Sequence, residues 1–506
     1  MSGGLPPATA FIVRQGAALP STPHFAAQGE LIPVDLSGRS GFVTAGQSPE
    51  RASSSVRAVQ VLVAGEFYNT AELSETVGTE LSDGAHDAEV LAHLYEQYGA
   101  HAFRLINGRY AAVVLDGDDL VAATDHVSGI ALFASRVDGG LTLATEAKAL
   151  FASVGDPLTS QGIPELPRVR GPFAVHRLQA GTVTRFAADG SVTSMETWRP
   201  PQWRQLIEES EAVTLVRQTL GQAVGRRVSD RDEVTAVLSG GIDSSTVASL
   251  ICEAGPALTT VTLGTEARDE FAEAALVAGH LAERFSAVSH RELKLSSDEV
   301  LGELARTVWA SESTDPDIVE YLLPLTALYR CLPAGTPSRI LTGYGADIPL
   351  GGMHRIGAGL GKLEDALSQD MATFDGLNEM VPALSMSAGY WTTHPYWDRD
   401  VLDLLTRLSA GLKLRHGQDK WVLRAAMASS LPEETITRPK LGVHEGSGSS
   451  SALQRLLQQY GLGVNQRTAV IEDLYDQTVV AGTHPDDIDL LVTLKRLRNE
   501  MEEDHD

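Results

Sequence analysis

The sequence predicts an α/β protein in two parts: stacked antiparallel sheets first, then a doubly wound parallel sheet with many helices. Three observations carry this. The first half alternates short apolar runs with Gly, Asp and Ser turns, the pattern of strands joined by tight connections. The second half alternates apolar runs with stretches of helical spacing, the pattern of βαβ units. Between them lies Trp198-Arg-Pro-Pro-Gln-Trp203, whose prolines favour extended backbone. A junction is therefore expected near residue 205, dividing 1–205 from 206–506, and 506 residues are in any case too many for one core.

In the first half, strands are expected at Gln60–Ala64, Arg109–Leu115, Leu120–Thr124, Leu141–Thr145 and Gly181–Phe186. One clear helix lies among them. In Asp87–Tyr98 the apolar residues recur at helical spacing, with Asp87 in place to cap the N-terminus.

The second half opens with a helical stretch, Glu211–Gly225, followed by the apolar run that starts at Val234. That run breaks on Ser239-Gly240-Gly241-Ile242-Asp243-Ser244-Ser245, and a helix is expected to open at Thr246. A strand, a Ser/Gly turn and a helix start make an anion cradle, because backbone N–H groups and the positive helix end point the same way. The spacing is not GxxxxGK[ST], and the loop holds no lysine. It resembles the pyrophosphate loop of enzymes that split ATP between its α and β phosphates. Further strands are expected at Leu258–Leu263, Ser289–Leu293 and Ser338–Thr342, with a helix over Phe271–Phe285 and mostly helix from about 355 to 490. The last of these strands runs into a second glycine-rich exit, Gly343–Gly352. Asp243 and Asp347 would both stand at the carboxyl end of the sheet, a hard-oxygen pair suited to Mg²⁺ beside a triphosphate. Alone, either would be read as a cap or turn former.

The net charge of −26 argues against a nucleic-acid or anionic-membrane partner. A polyanion such as ATP would need a local basic patch and a divalent metal. Cys252 and Cys331 are the only cysteines, so no disulfide framework is implied and a cytoplasmic protein fits. No secretory leader is visible, and no run approaches the roughly 20 apolar residues of a membrane span.

The first half resembles the glutaminase domain of class II amidotransferases such as the asparagine synthetases. The matching pieces are Gly65-Glu-Phe-Tyr-Asn69, Leu105-Ile-Asn-Gly-Arg-Tyr110, Thr124-Asp-His-Val-Ser-Gly129 and Thr145-Glu-Ala-Lys-Ala-Leu150. The resemblance implies an Ntn-hydrolase-like αββα sandwich. That family uses an N-terminal cysteine, and an Asn precedes its Gly-Glu-Ile-Tyr-Asn motif. Here the chain begins Met1-Ser2, no cysteine precedes Cys252, and Ala64 stands at the Asn position. An N-terminal hydroxyl activated by its own amine is the chemical alternative. A terminal serine on a domain kept for packing is the simpler reading, so this half is expected not to make ammonia.

The second half resembles the asparagine synthetases through Ser239–Ser245 and Gly343–Gly352, with Tyr344 where those enzymes have Glu. It is more similar to the β-lactam synthetases of clavulanic acid biosynthesis and to carbapenam synthetases. The shared runs include Trp309-Ala-Ser-Glu-Ser313, Glu320–Arg330, Leu341–Arg355, Asp370–Met380, Trp391–Arg399 and Arg438–Gly446. The resemblance implies an adenine-nucleotide α-hydrolase-like (ATP-pyrophosphatase) domain using ATP and Mg²⁺. It places the catalytic roles on Tyr344, Glu379 and Lys440, the first two as a dyad and the lysine as stabiliser of negative charge. Val237, Leu238, Ser239, Gly240, Gly241, Asp243, Ser244, Ser245, Leu263, Gly343 and Lys420 fall at ATP or pyrophosphate positions. Tyr321, Gly343, Tyr344, Gly345, Asp370 and Glu379 fall at substrate positions, Asp370 toward a guanidinium, and Asp243 and Asp347 at metal positions. The implied reaction adenylates the carboxyethyl arm of an N2-(2-carboxyethyl)arginine-like substrate and closes it to a monocyclic, deoxyguanidinoproclavaminate-like β-lactam. A homodimer is among the assemblies the resemblance allows.

Other readings stand beside this one. An asparagine-synthetase-like ligase would take an external amine, against which Tyr344 and the missing cysteine count. A silent nucleotide-binding protein would have little use for Asp243, Asp347, Tyr344, Glu379 and Lys440 together. Taken singly, a Tyr–Glu pair is a common structural hydrogen bond, and a lysine after proline, as at Lys440, is a common surface residue. Lys413, Arg415, Lys420 and Arg424 read as a solvated helix face, some of them within reach of phosphates. His394 reads as packed rather than catalytic. Gly446–Ala452 reads as a mobile loop able to close over the site.

Overall fold

The computed structural model describes residues 10–15, 25–26, 31–35, 40–44, 52–78, 81, 85–153, 156–201, 203–352, 360–373, 382–439 and 449–503. Its first half contains two six-stranded antiparallel sheets. One runs, in spatial order, Val175–Arg177, Phe133–Val137, Gly140–Ala144, Phe11–Arg14, Ser40–Thr44 and Leu31–Asp35. The other runs Val192–Glu196, Thr182–Phe186, Asp119–Thr124, Gly108–Asp116, Val59–Phe67 and Ser53–Val56.

Strand alternation explains the layering. In Val59–Phe67, Leu62 and Ala64 meet Phe11, Val13 and Leu143 of the other sheet, while Val61 and Val63 face the opposite way. There they meet Val90, Leu91 and Leu94 of the Asp87–Tyr98 helix. The outer face of the first sheet, through Ile12, Phe133 and Val175, is covered by Ala147 and Leu150 of the Ala147–Ser153 helix. The order is helix, sheet, sheet, helix. Fully burying each such Val, Leu or Phe is worth about 1.5–3 kcal/mol, so the sandwich is held by its two sheet faces rather than by any one contact.

The second half is built on five parallel strands: β1 (Glu233–Val237), β2 (Ala257–Thr265), β3 (Val288–Leu295), β4 (Arg339–Thr342) and β5 (Trp391–Thr393), arranged β3-β2-β1-β4-β5. One face of this sheet packs on the Glu209–Val228, Ile242–Ala254 and Phe271–Arg284 helices through Val216, Leu220, Val247, Ile251, Val277 and Leu281. The other face meets the Pro316–Arg330 helix through Val261, Ile340, Leu322 and Leu325. Strand order reverses between β1 and β4, so the chain leaves these neighbours in opposite directions and opens a crevice at their carboxyl ends. Separate helices, among them Leu304–Ser311, Ser449–Gln459, Arg467–Tyr475 and Leu490–Glu503, close over their own apolar cluster.

Several local expectations are corrected. The helix expected to open at Thr246 begins at Ile242, so Asp243, Ser244 and Ser245 occupy its first turn. Asp87 is the first residue of its helix and His86 the cap position. The Asp87 carboxylate instead accepts from the Phe67 amide and the Thr70 hydroxyl, each at 2.8 Å. Asp87–Tyr98 is not alone in the first half, since Thr70–Val77 and Ala147–Ser153 are also helical. Of the expected loop Gly446–Ala452, the part from Ser449 onward belongs to a helix. Short apolar and polar segments follow the surface they land on, which a one-dimensional pattern does not display.

Candidate active site

The crevice between β1 and β4 is where the sequence placed its chemistry. After β1, Ser239 turns the chain into the Ile242–Ala254 helix. The Ser239 amide donates to Ser244 Oγ at 3.1 Å and the Gly241 amide donates to Ser239 Oγ at 3.3 Å. These bonds close the loop on itself and leave the first helical amides without an intrahelical acceptor. Arg438 donates to the Ser239 carbonyl at 3.0 Å and pairs with Glu270 at 2.7 Å, bracing the loop from outside. From the other side, Gly343 lies so close that a Cβ would strike the Ser244 amide nitrogen. Only glycine lets the β4 exit touch the loop. Of the remaining residues expected at nucleotide positions, Leu238 is 1% exposed. Its amide donates to the Val261 carbonyl at 2.9 Å and its carbonyl accepts from the Thr262 hydroxyl. Val237 and Leu263 lie on β1 and β2.

Asp243, at the helix start, and Asp347, at the start of the Asp347–Leu350 helix, converge on one cation: the ammonium of Lys420. Lys420 Nζ pairs with Asp243 Oδ2 and stands 2.5 Å from Asp347 Oδ1. Lys420 is fully buried. Burial alone would lower its pKa, but Asp243 and Asp347 outweigh it and hold the ammonium above its ordinary range. Gly352 makes the room, since a Cβ there would collide with both Asp347 Oδ1 and the Lys420 side chain. The expected solvated face is thereby corrected. Lys413, Lys420 and Arg424 are 1%, 0% and 2% exposed, and Arg424 is spent on Asp419 and the Ile436 carbonyl. Of the four, only Arg415 is not buried, and it is half-buried rather than solvated. Lys413 is pushed down to about 7, first by burial and then by Arg204.

Tyr344 follows directly on this crevice. Its ring packs edge-on against Tyr321 at 5.2 Å and tilted against His394 at 5.6 Å. Its amide donates to Thr342 Oγ1 at 3.3 Å, and Thr342 Oγ1 in turn bonds His394 Nδ1 at 2.7 Å. His394 is packed, as expected: burial, with Arg109 and Arg227 nearby, drives its pKa far down and keeps the ring neutral. Gly345 lies against the indole of Trp397. Asp370 is half-buried in the Leu360–Thr373 helix, which packs through Leu363 and Leu367 on Ala410. Glu379 and Lys440 lie outside the described residues.

The motifs of the first half converge on the segment that carries His394. Arg109 donates to the Thr392 carbonyl at 2.6 Å, Tyr68 bonds Thr393 Oγ1 at 3.0 Å and His126 bonds the Trp397 carbonyl at 2.7 Å. Asn107 donates to Asp398 at 2.8 Å, and Arg227 takes the other Asp398 oxygen at 2.8 Å. Glu66 forms a two-pronged pair with Arg339 of β4, at 2.6 and 2.8 Å, and accepts from the Trp391 indole at 2.8 Å. A cavity of about 450 Å³ opens beside Gly65 and Asp87, but two of its lining residues, Glu66 and Arg339, are locked to each other. Sequence reading missed this bracing set. Its signal lay in the two groups of motifs themselves, which were read separately, one as a domain kept for packing and the other as a site.

Comparison with known proteins agrees with this architecture. Residues 215–369 and 366–500 match the asparagine synthase family, and residues 43–152 match the glutamine amidotransferase domain. The chain is 46% identical over 503 residues to the carboxyethyl-arginine β-lactam synthase of Streptomyces clavuligerus, covering 96% of each chain. It is 24% identical over 419 residues to a glutamine-hydrolysing asparagine synthetase of Arabidopsis thaliana, covering 78% of this chain and 68% of that one. It is 25% identical over 423 residues to one of rice, covering 78% and 66%.

Proposed function

The chain belongs to the asparagine synthase family, as an ATP-dependent ligase and a β-lactam synthetase closely related to carboxyethyl-arginine β-lactam synthase, and from this premise we propose its substrate, its metal and the roles of its residues. The substrate is N2-(2-carboxyethyl)arginine or a close analogue. The observation that carries the reading is the meeting, at one crevice, of the Ser239–Ser245 loop, the Asp243–Asp347 pair and Tyr344.

A carboxylate is a poor acyl donor because oxide leaves badly. Attack of the substrate carboxylate oxygen on the α-phosphorus of ATP expels pyrophosphate, which the amides of the Ser239–Ser245 loop receive, and makes AMP the leaving group. Asp243 and Asp347 fit a divalent metal, since their oxygens already converge on one cation. Mg²⁺ held there would offset the charge of the phosphates. The substrate's own secondary amine then attacks the acyl carbon. That amine is protonated near neutral pH and must lose a proton. Tyrosine alone, with a pKa of about 10, is a weak base. Glu379 is assigned the help it needs, the two titrating together. Lys440 is assigned to the oxyanion and the departing AMP. Ring strain opposes closure to four atoms, so the site must hold a folded conformer with amine and acyl carbon already close. Tyr321 packs against Tyr344 as part of that wall, and Asp370 is assigned to the guanidinium.

In the same proposal the first half makes no ammonia and serves as a brace, the assembly is a homodimer, and the reaction is cytoplasmic. Cys252 and Cys331 are unpaired, and no helix among the described residues is long and apolar enough to cross a membrane. Incubation with ATP, Mg²⁺ and carboxyethyl-arginine, read by mass spectrometry, tests the chemistry. Loss of one water from the substrate, without ammonia or glutamine, is expected. Turnover only with an added amine would overturn the cyclisation.

A further inference from the structure

The Asp243–Lys420–Asp347 arrangement answers a problem that the metal reading creates. Two carboxylates drawn together in a protein interior repel each other and must be neutralised before any metal arrives. The chain supplies the neutralising charge itself, on a fully buried lysine whose ammonium lies between Asp243 Oδ2 and Asp347 Oδ1. The backbone is arranged to deliver it. Lys420 sits in the left-handed region at φ 50°, which L side chains rarely adopt, immediately before the Trp421–Met427 helix. Gly352 leaves the path clear. Among the described residues no group of three or more His, Cys, Asp and Glu is placed to hold a metal. A six-coordinate Mg²⁺ at this pair must therefore draw most of its oxygens from phosphate and water.

We propose that Lys420 is a tethered stand-in for the divalent cation: it keeps Asp243 and Asp347 converged, shuts free metal out, and yields the pair only when a polyphosphate brings metal and a new partner for the ammonium together. The inference rests on Asp243 and Asp347 being the metal carboxylates. It makes Lys420 a positioning residue that sets an order, in which the metal enters as its nucleotide complex and not before.

Mn²⁺ titration of the full-length protein, with free Mn²⁺ counted by electron paramagnetic resonance, tests this with and without an ATP analogue blocked between the α and β phosphates. Wild type is expected to bind Mn²⁺ with the analogue and to lose that binding in Asp347→Asn, while the nucleotide-free protein binds Mn²⁺ only weakly. Lys420→Met is expected to bind Mn²⁺ without nucleotide at least about tenfold more tightly than wild type, and Lys420→Arg to keep free metal out. Tight, Asp347-dependent binding to nucleotide-free wild type overturns the inference, and needs no Lys420 variant to fold. So does a folded Lys420→Met that gains nothing while the analogue-dependent binding of wild type stands. Analogue-dependent binding indifferent to Asp347→Asn would instead overturn the metal reading beneath it.

Discussion

Glu66→Gln should unhinge the two halves from each other. Glu66 and Arg339 face one another across the seam with side chains 14% and 6% exposed, so solvent does little to replace a lost partner. Burial alone would raise the Glu66 pKa, but Arg339, the Trp391 indole and Arg227 outweigh it and hold the carboxyl below its ordinary value. Glutamine keeps the shape but removes the charge and turns an amide donor toward the Arg339 donors. Removing one member of a buried pair costs about 3–5 kcal/mol. With a urea slope of about 3 kcal/mol/M, the unfolding midpoint should fall by about 1–1.7 M, read by tryptophan fluorescence. The effect has a sign in pH. Because the folded pKa is lowered, the contribution is fully present above the unfolded value near 4.5 and is lost as pH falls through the folded one. The gap between wild type and Glu66→Gln should therefore close in acid. Replacing both partners, as Glu66→Leu with Arg339→Met, should recover most of the loss, since no charge is stranded. A midpoint shift under about 0.3 M, or a double variant no better than the single one, would refute the clamp.

Three further outcomes concern the crevice. Tyr344→Phe should leave substrate-dependent pyrophosphate release within about threefold of wild type and slow lactam formation at least about a hundredfold. Equal losses in both would remove Tyr344 from the proton transfer. Gly343→Ala should abolish pyrophosphate release by roughly a hundredfold or more, because its methyl would strike the Ser244 amide. A normal rate in the purified, folded variant would show that the loop does not need the close approach. Thr342→Val should strand the buried His394 Nδ1, at a cost of about 1–3 kcal/mol. It should lower kcat about tenfold with KM for ATP nearly unchanged, since the hydroxyl touches the Tyr344 amide and not the phosphate loop; a loss confined to KM would contradict that assignment.

What could be read from the sequence, and what could not, divides along a physical line. The sandwich and the parallel sheet were legible because strands advertise themselves by alternation and by apolar runs. The Ser239–Ser245 and Gly343–Gly352 exits were legible because glycine and serine after a strand have few other uses. Lys420 was expected at a phosphate position and not as the cation between Asp243 and Asp347. In sequence it is 177 residues from Asp243, on what reads as a polar helix face, and nothing local says that it is buried. The first half was expected to be a domain kept for packing. Ala64 and the absence of a cysteine before Cys252 argue against glutaminase chemistry, so glutamine hydrolysis is not the expected work of Glu66, Tyr68, Asn107, Arg109 and His126. Their bonds to Trp391, Thr392, Thr393, Trp397 and Asp398 supply another. They fix the segment that carries His394, His394 fixes Thr342, and Thr342 holds the amide of Tyr344. In the proposed mechanism, closing a strained ring tolerates little error in where Tyr344 stands. The first half is therefore tied, through a few buried hydrogen bonds, to the geometry of its neighbour's site.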